Sequence, residues 1–193
     1  MICGIDEAGR GPLAGPVCAA AVILGDNFPK GFLDDSKAMS SSSRETGRHL
    51  ILSRSIAWGI GWASPSEIDR LNILRGSLLA MKRAFESMMA KNTFLPSSFE
   101  VIVDGLYVPE ISMPSRPLVK ADAQIPEVMA ASILAKTARD RMMEFYSVFY
   151  PEYGYEKHKG YPTKAHRSAI TQYGPSPIQR LSFNVKVLKK AKD

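Results

Sequence analysis

Residues 2–6 (ICGID) form a short, mostly apolar run ending on a carboxylate, and a Gly/Pro-rich turn separates them from the continuous apolar run PVCAAAVIL. Both runs read as strands, which places the turn at a sheet rim. SIAWGIGWAS alternates and reads as a third strand, so the three predict an antiparallel meander. The polar, Arg-rich stretch 40–53 predicts a short helix before that strand. Residues 64–90 carry Ile68, Leu71, Leu74, Leu78, Leu79, Met81 and Phe85 at helical spacing behind a capping Ser64 or Ser66, and predict one long helix. FEVIVDG and RPLVKADA predict two more strands, ending at Asp104 and near Asp122. PEVMAASILAKTARDRMMEFYSVF predicts a second long helix opened by Pro126. The remainder is rich in Gly, Pro, Tyr and cations and predicts one helix over 163–173. No repeat or long linker divides the chain.

Length and composition add three bounds. With 193 residues and 45% hydrophobic content, the chain can bury one good core. Its net charge of +6 suits a polyanionic partner. No run approaches the roughly 20 apolar residues of a membrane span, and no basic leader precedes the best apolar run, so a cytosolic protein is expected. Cys3 and Cys18 fall in apolar segments and read as small buried hydrophobes rather than a disulfide. The spacing of His49, His158 and His166 does not match a zinc site.

Three predicted strand ends carry acids: Asp6 with Glu7, Asp104, and Asp122. Functional groups gather at strand ends in open α/β sheets. Two carboxylates about 4 Å apart repel by about 4 kcal/mol at an effective dielectric near 20, so converging acids require cations. Mg²⁺ or Mn²⁺ suits an all-oxygen donor set, and two such ions support phosphodiester hydrolysis without a general-base histidine. An isolated aspartate at a strand end serves equally well as a cap or ion-pair partner; three acid-bearing ends in a basic chain favour the metal reading. Neighbouring strand residues point to opposite faces, so Asp6 and Glu7 cannot both aim inward from a regular strand. The expectation is that the strand breaks at Glu7, or that Glu7 supplies a main-chain carbonyl.

Gly9, Gly11 and Ala14 satisfy the spacing G-x-G-x-x-G/A, but the acids before the loop, Pro12 and Pro16 within it and a strand after it exclude a dinucleotide loop. No P-loop is present. The glycines suit close backbone approach to a ligand such as a ribose 2′-hydroxyl.

GIDEAGRGPLAGPV, DDSK, VDG, PEVMAASILAKTARDRM and HKGYPTKAH, in this order over most of the chain, resemble the bacterial ribonuclease HII family, the type 2 ribonucleases H. The resemblance implies an α/β, ribonuclease H-like fold: a central mixed five-stranded sheet flanked by helices, with a C-terminal helical portion over about 151–193, all in a single domain. It implies endonucleolytic hydrolysis of the RNA strand of RNA/DNA hybrids, and nicking of duplex DNA 5′ of single embedded ribonucleotides, leaving 5′-phosphate and 3′-hydroxyl ends.

By motif position, Asp6, Glu7, Asp104 and Asp122 resemble the four carboxylates that hold two divalent ions, Mn²⁺ or Mg²⁺. The family usually has Gly where Ala121 stands, and frequently His where Gln179 stands. Gly9, Arg10 and Gly11 resemble the family's 2′-hydroxyl-sensing loop, and Tyr161 the tyrosine that stacks on the sugar at the RNA-to-DNA junction. Lys37, Lys136, Arg139, Lys159 and Arg167 are candidate phosphate contacts. A monomer is expected. The alternatives are a ribonuclease HIII-like hybrid nuclease and a non-catalytic basic nucleic-acid-binding module of the same fold.

Overall fold

The short apolar runs and the alternating SIAWGIGWAS segment build the sheet, as expected. In the computed structural model, which describes residues 1–33 and 40–183, β1 (Ile2–Ala8), β2 (Val17–Leu24) and β3 (Ser55–Ala63) form the antiparallel meander. β4 (Glu100–Asp104) joins β1 in parallel, and β5 (Ser115–Leu118) joins β4 in parallel, giving a mixed sheet of order β3-β2-β1-β4-β5. β1, with its acid pair, lies at the centre, where the sheet changes from antiparallel to parallel pairing.

Helices cover both faces. α1 (Ser41–Arg54) is capped by Ser40, whose side chain accepts from Ser43 N–H. The stretch 64–90 is not the single helix its spacing predicts. It divides into α2 (Pro65–Leu71) and α3 (Ile73–Lys91) at Asn72, whose φ of 73° breaks the helix while its side chain accepts from Arg75 N–H to start the next. Ser64 caps α2 in a reciprocal box with Glu67. α4 (Pro126–Phe149) opens on proline as expected. A single turn, α5 (Tyr155–His158), and α6 (Lys164–Tyr173) complete the described helices.

α3 packs Ala80, Met81, Ala84, Phe85 and Met88 onto one sheet face, against Cys3, Ile5, Val101 and Val103 among others. α1 and α4 cover the other face, over Cys18, Ala20 and Val22. Both cysteines are buried and free, as expected, and burial pushes both thiols well above their ordinary pKa.

Two close approaches set the layer spacing. A Cβ on Gly4 would lie 2.2 Å from the Glu127 carbonyl carbon, so the start of α4 rests directly on β1. A Cβ on Gly61 would lie 2.2 Å from Ala80 O and 2.3 Å from Ala84 N. Neither backbone can retreat without moving a whole helix. Gly61→Ala is therefore expected to lower stability by about 2–3 kcal/mol in urea unfolding, the scale of core overpacking; an unchanged midpoint would show that α3 is not seated this closely.

Candidate active site

Register decides where the acids go. Gly4 faces α4, so on the alternating strand Asp6 shares that face while Cys3, Ile5 and Glu7 belong to the other. On β4, Val101 and Val103 pack on the α3 side and Ile102 packs against Val128 of α4, so Asp104 joins Asp6 on the α4 face. The last paired residues of the two strands are Ile5 and Val103, which puts Asp6 and Asp104 one step beyond, on adjacent strands.

Asp6 is 6% exposed. Burial, then the charges of Glu7 and Asp104, hold its carboxyl well above the usual carboxylate range, while the Ser132 hydroxyl of α4 and the Glu7 N–H donate to it. Glu7 corrects one expectation: β1 does not break there but runs on to Ala8, with Glu7 paired to Ala19. Its carboxylate, only 9% exposed, instead pairs at 3.2 Å with Arg10, whose side chain is half exposed. Burial raises its pKa, Arg10 opposes the rise, and Asp104 adds to it. Asp6, Glu7 and Asp104 therefore act on one another electrically. Among the described residues, however, no three His, Cys, Asp or Glu side chains stand close enough to form a ready metal cage.

Asp122 also departs from its expected place. β5 stops at Leu118, and Asp122 sits in a 3₁₀ turn, Ala121–Ala123. The Asp104 carboxylate accepts from the Ala121 N–H at 2.7 Å, tying that turn to β4. Asp122 is the next residue along the chain from that amide.

The glycine loop after β1 is held from below by two arginines. Arg139 of α4, 1% exposed, donates to the carbonyls of Pro16 (2.9 Å), Ala14 (3.1 Å) and Lys159 (3.0 Å). Arg180, fully buried, donates to those of Gly9 (2.7 Å), Arg10 (3.0 Å) and Gly15 (2.8 Å). The phosphate-contact expectation for Arg139 thus gives way: its guanidinium is consumed inside the protein. Burial first, then repulsion from Arg139, brings the Arg180 pKa down to about 9. Gly9, at φ 99°, is glycine because a Cβ there would lie 2.0 Å from Arg139 Nε.

Tyr161 meets the loop from the other side. A Cβ on Gly11 would touch its ring at 3.6 Å, and Leu13 N–H donates to the Gly160 carbonyl at 2.8 Å. The ring is 40% exposed, with Lys136 Nζ 5.9 Å and Arg139 Cζ 6.0 Å from its centroid. The structure therefore brings Gly9, Arg10, Gly11 and Tyr161 to one rim. Lys136 pairs with Asp140, and Lys159 with Glu144. Both lysines line a groove of about 810 Å³ that also carries Arg44, Arg141 and Lys157 against three carboxylates. Arg167 lies apart from that groove, its Nε donating to the Pro162 carbonyl. Lys37 lies outside the described residues.

Sequence reasoning missed Ser132, Arg180 and a histidine pair. His158 and His166 stack at 4.6 Å beneath the Tyr161 loop. His158 Nδ1 accepts from Gly160 N–H, so Nε2 carries the proton and donates to Tyr153 O; His166 Nδ1 donates to Tyr161 O. The HKGYPTKAH spacing was the available signal for the pair.

A mixed sheet with a buried and a half-buried acid at adjacent strand ends, beside a pinned glycine loop and an exposed tyrosine, is the arrangement of a ribonuclease H-type hydrolase. Residues 3–186 match the family model for Ribonuclease HII. The chain is 55% identical over 200 aligned positions to a ribonuclease HII from Treponema denticola, covering 97% of this chain and all of that one. It is 46% identical over 183 positions to one from Dechloromonas aromatica, covering 95% and 90%. The chain belongs to the ribonuclease HII family, the type 2 ribonucleases H. Solved structures share the fold: ribonuclease H2 from Pyrococcus horikoshii OT3, with a TM-score of 0.76 at 24% identity over 99% of this chain and 98% of that one. Bst-RNase HIII in complex with Mn²⁺ gives a TM-score of 0.76 at 18% identity, over 99% and 68%.

The histidine pair generates a pH test. Burial pushes both imidazoles below their ordinary value of 6.5. The unfolded chain then binds protons that the folded chain rejects, so their contribution is complete above pH 6.5 and is lost as pH falls below it. The thermal midpoint is expected to fall on acidification below that value, and less steeply in His166→Gln; parallel slopes would remove His166 from the effect.

Proposed function

We propose that this chain hydrolyses the RNA strand of RNA/DNA hybrids and nicks duplex DNA on the 5′ side of single embedded ribonucleotides, leaving 5′-phosphate and 3′-hydroxyl ends. The observation that carries this reading is the meeting of acids and loop at one rim: buried Asp6 beside Asp104, Glu7 bridged to Arg10, and Gly11 against Tyr161. A basic binding module has no use for carboxyls whose burial and mutual repulsion oppose ionisation.

The donor set fits a hard divalent cation, Mn²⁺ or Mg²⁺. It consists of carboxylate oxygens; burial first, and for Asp6 then the neighbouring carboxylates, make the ionised forms of Asp6 and Glu7 costly, a cost that a cation would offset. Asp6, Glu7, Asp104 and Asp122 would hold two such ions. When bound, they supply Lewis-acid stabilisation of phosphoryl oxygens and a more acidic water. The protein's own residues do the rest. Ser132 and the Glu7 amide orient Asp6, the Ala121 amide orients Asp104, and Arg10 pairs with Glu7. Tyr161 offers a partly exposed face to a sugar at the RNA-to-DNA junction, supplying contact without sequence preference. From Tyr161 the groove with Lys136 and Lys159 gives a path for backbone phosphates.

The direct test is cleavage of duplex DNA bearing one ribonucleotide, with Mg²⁺ or Mn²⁺ and with EDTA. A nick 5′ of the ribonucleotide that EDTA abolishes is expected; binding without cleavage would favour the non-catalytic module. Asp104→Asn is expected to cost at least roughly 100-fold in turnover while hybrid binding persists. Wild-type turnover would remove Asp104 from the site. Tyr161→Ala is expected to impair single-ribonucleotide substrates more than long hybrids, and an equal loss on both would refute the junction role.

A further inference from the structure

The loop's reading groups are set by a residue far from it in sequence. Arg180 takes the carbonyls of Gly9 and Arg10, both turned toward its buried guanidinium. A trans peptide is planar, with N–H opposed to C=O. Turning the Gly9 carbonyl inward therefore turns the Arg10 N–H outward, and turning the Arg10 carbonyl inward turns the Gly11 N–H outward. No other placement is open while both bonds last. Gly11 lies against the Tyr161 ring, so the two donors emerge where that side chain meets the loop.

Arg180 is itself fixed. Its N–H donates to Leu13 O at 2.9 Å, and Gln179 Nε2 reaches the same carbonyl at 2.8 Å. Asp69 of α2 accepts from the amides of Leu181 (3.0 Å) and Ser182 (2.9 Å). No carboxylate pairs with the guanidinium within salt-bridge distance among the described residues; its three donor nitrogens end on loop carbonyls. Its guanidinium carbon also lies 5.1 Å from the centroid of the Phe183 ring. A buried charge whose hydrogen bonds all go to backbone is costly for stability and strongly orienting for the backbone it holds.

We propose that Arg180 is the positioning residue for ribose recognition: its fork holds the Arg10 and Gly11 N–H groups outward as paired donors to a ribose 2′-hydroxyl. This rests on the proposed function of the same site and adds the residue that makes the loop selective. Lysine keeps the charge but not the planar fork, so it cannot hold both carbonyls in this geometry.

The experiment compares binding, in EDTA, of duplex DNA with and without one ribonucleotide, for wild type and Arg180→Lys. Wild type is expected to prefer the ribonucleotide duplex, and the variant to lose that preference, taken as the ratio of its own two affinities, by roughly 10-fold or more. A purely structural role would lower the thermal midpoint and the folded fraction without changing the preference per folded molecule. Should Arg180→Lys fail to fold, amide NMR of wild type decides: Arg10 and Gly11 N–H resonances are expected to shift with the ribonucleotide duplex and not with the all-DNA one. Unmoved amides, or a folded variant with full preference, would overturn this inference while metal-dependent nicking by wild type left the parent reading standing. Wild type that neither prefers nor nicks the ribonucleotide duplex would overturn both.

Discussion

Two buried guanidiniums, Arg139 and Arg180, organise the rim on which the rest of the site depends. Six carbonyls receive them, five from the turn between β1 and β2 and one from Lys159. Hydrogen bonds to a charged donor are worth about 1.5–3 kcal/mol each, and stripping a guanidinium of them in a dry interior costs more. The turn, whose two prolines and three glycines would otherwise leave carbonyls unsatisfied, is thus given one conformation. The same bonds join it to the Tyr161 loop, so the acid rim and the aromatic face belong to one assembly.

The sheet supplies the other half of that assembly. A central strand flanked by parallel and antiparallel neighbours places Asp6 beside Asp104, and the contact of Gly4 with α4 brings Ser132 over Asp6. Glu7, on the opposite face by register, still interacts with Asp6 and Asp104 because it stands near the strand end, its nearly buried carboxylate paired with Arg10. The acid pair resolves its conflict of direction by position at the strand end rather than by a break in the strand.

Legibility in the sequence followed the range of the forces involved. Strands and helices set by local periodicity could be read: the meander, α4 with its proline, and a serine cap at Ser64 or Ser66 that the structure places at Ser64. The break at Asn72 could not, because the apolar spacing continues across it from Ile68 to Leu74 while one backbone angle changes. The acids and the glycine loop were visible as motifs. Arg139 read as a surface cation because nothing local tells a solvated arginine from one whose partners lie 123 and 125 residues away. Arg180 was hidden for the same reason, and Ser132 because a serine on a small-residue helix face carries no sign of what it will meet.

Those long separations bear on the order in which the chain is made. The strand with Asp6 and Glu7 is made well before the arginine that orders the loop beside it, which comes 171 residues after Gly9. Synthesis proceeds from the N-terminus, so the acids emerge long before the groups that arrange them. A growing chain therefore carries the carboxylates before the loop carbonyls find their donors, and the rim takes its final shape only once the C-terminal part of the described fold has been made.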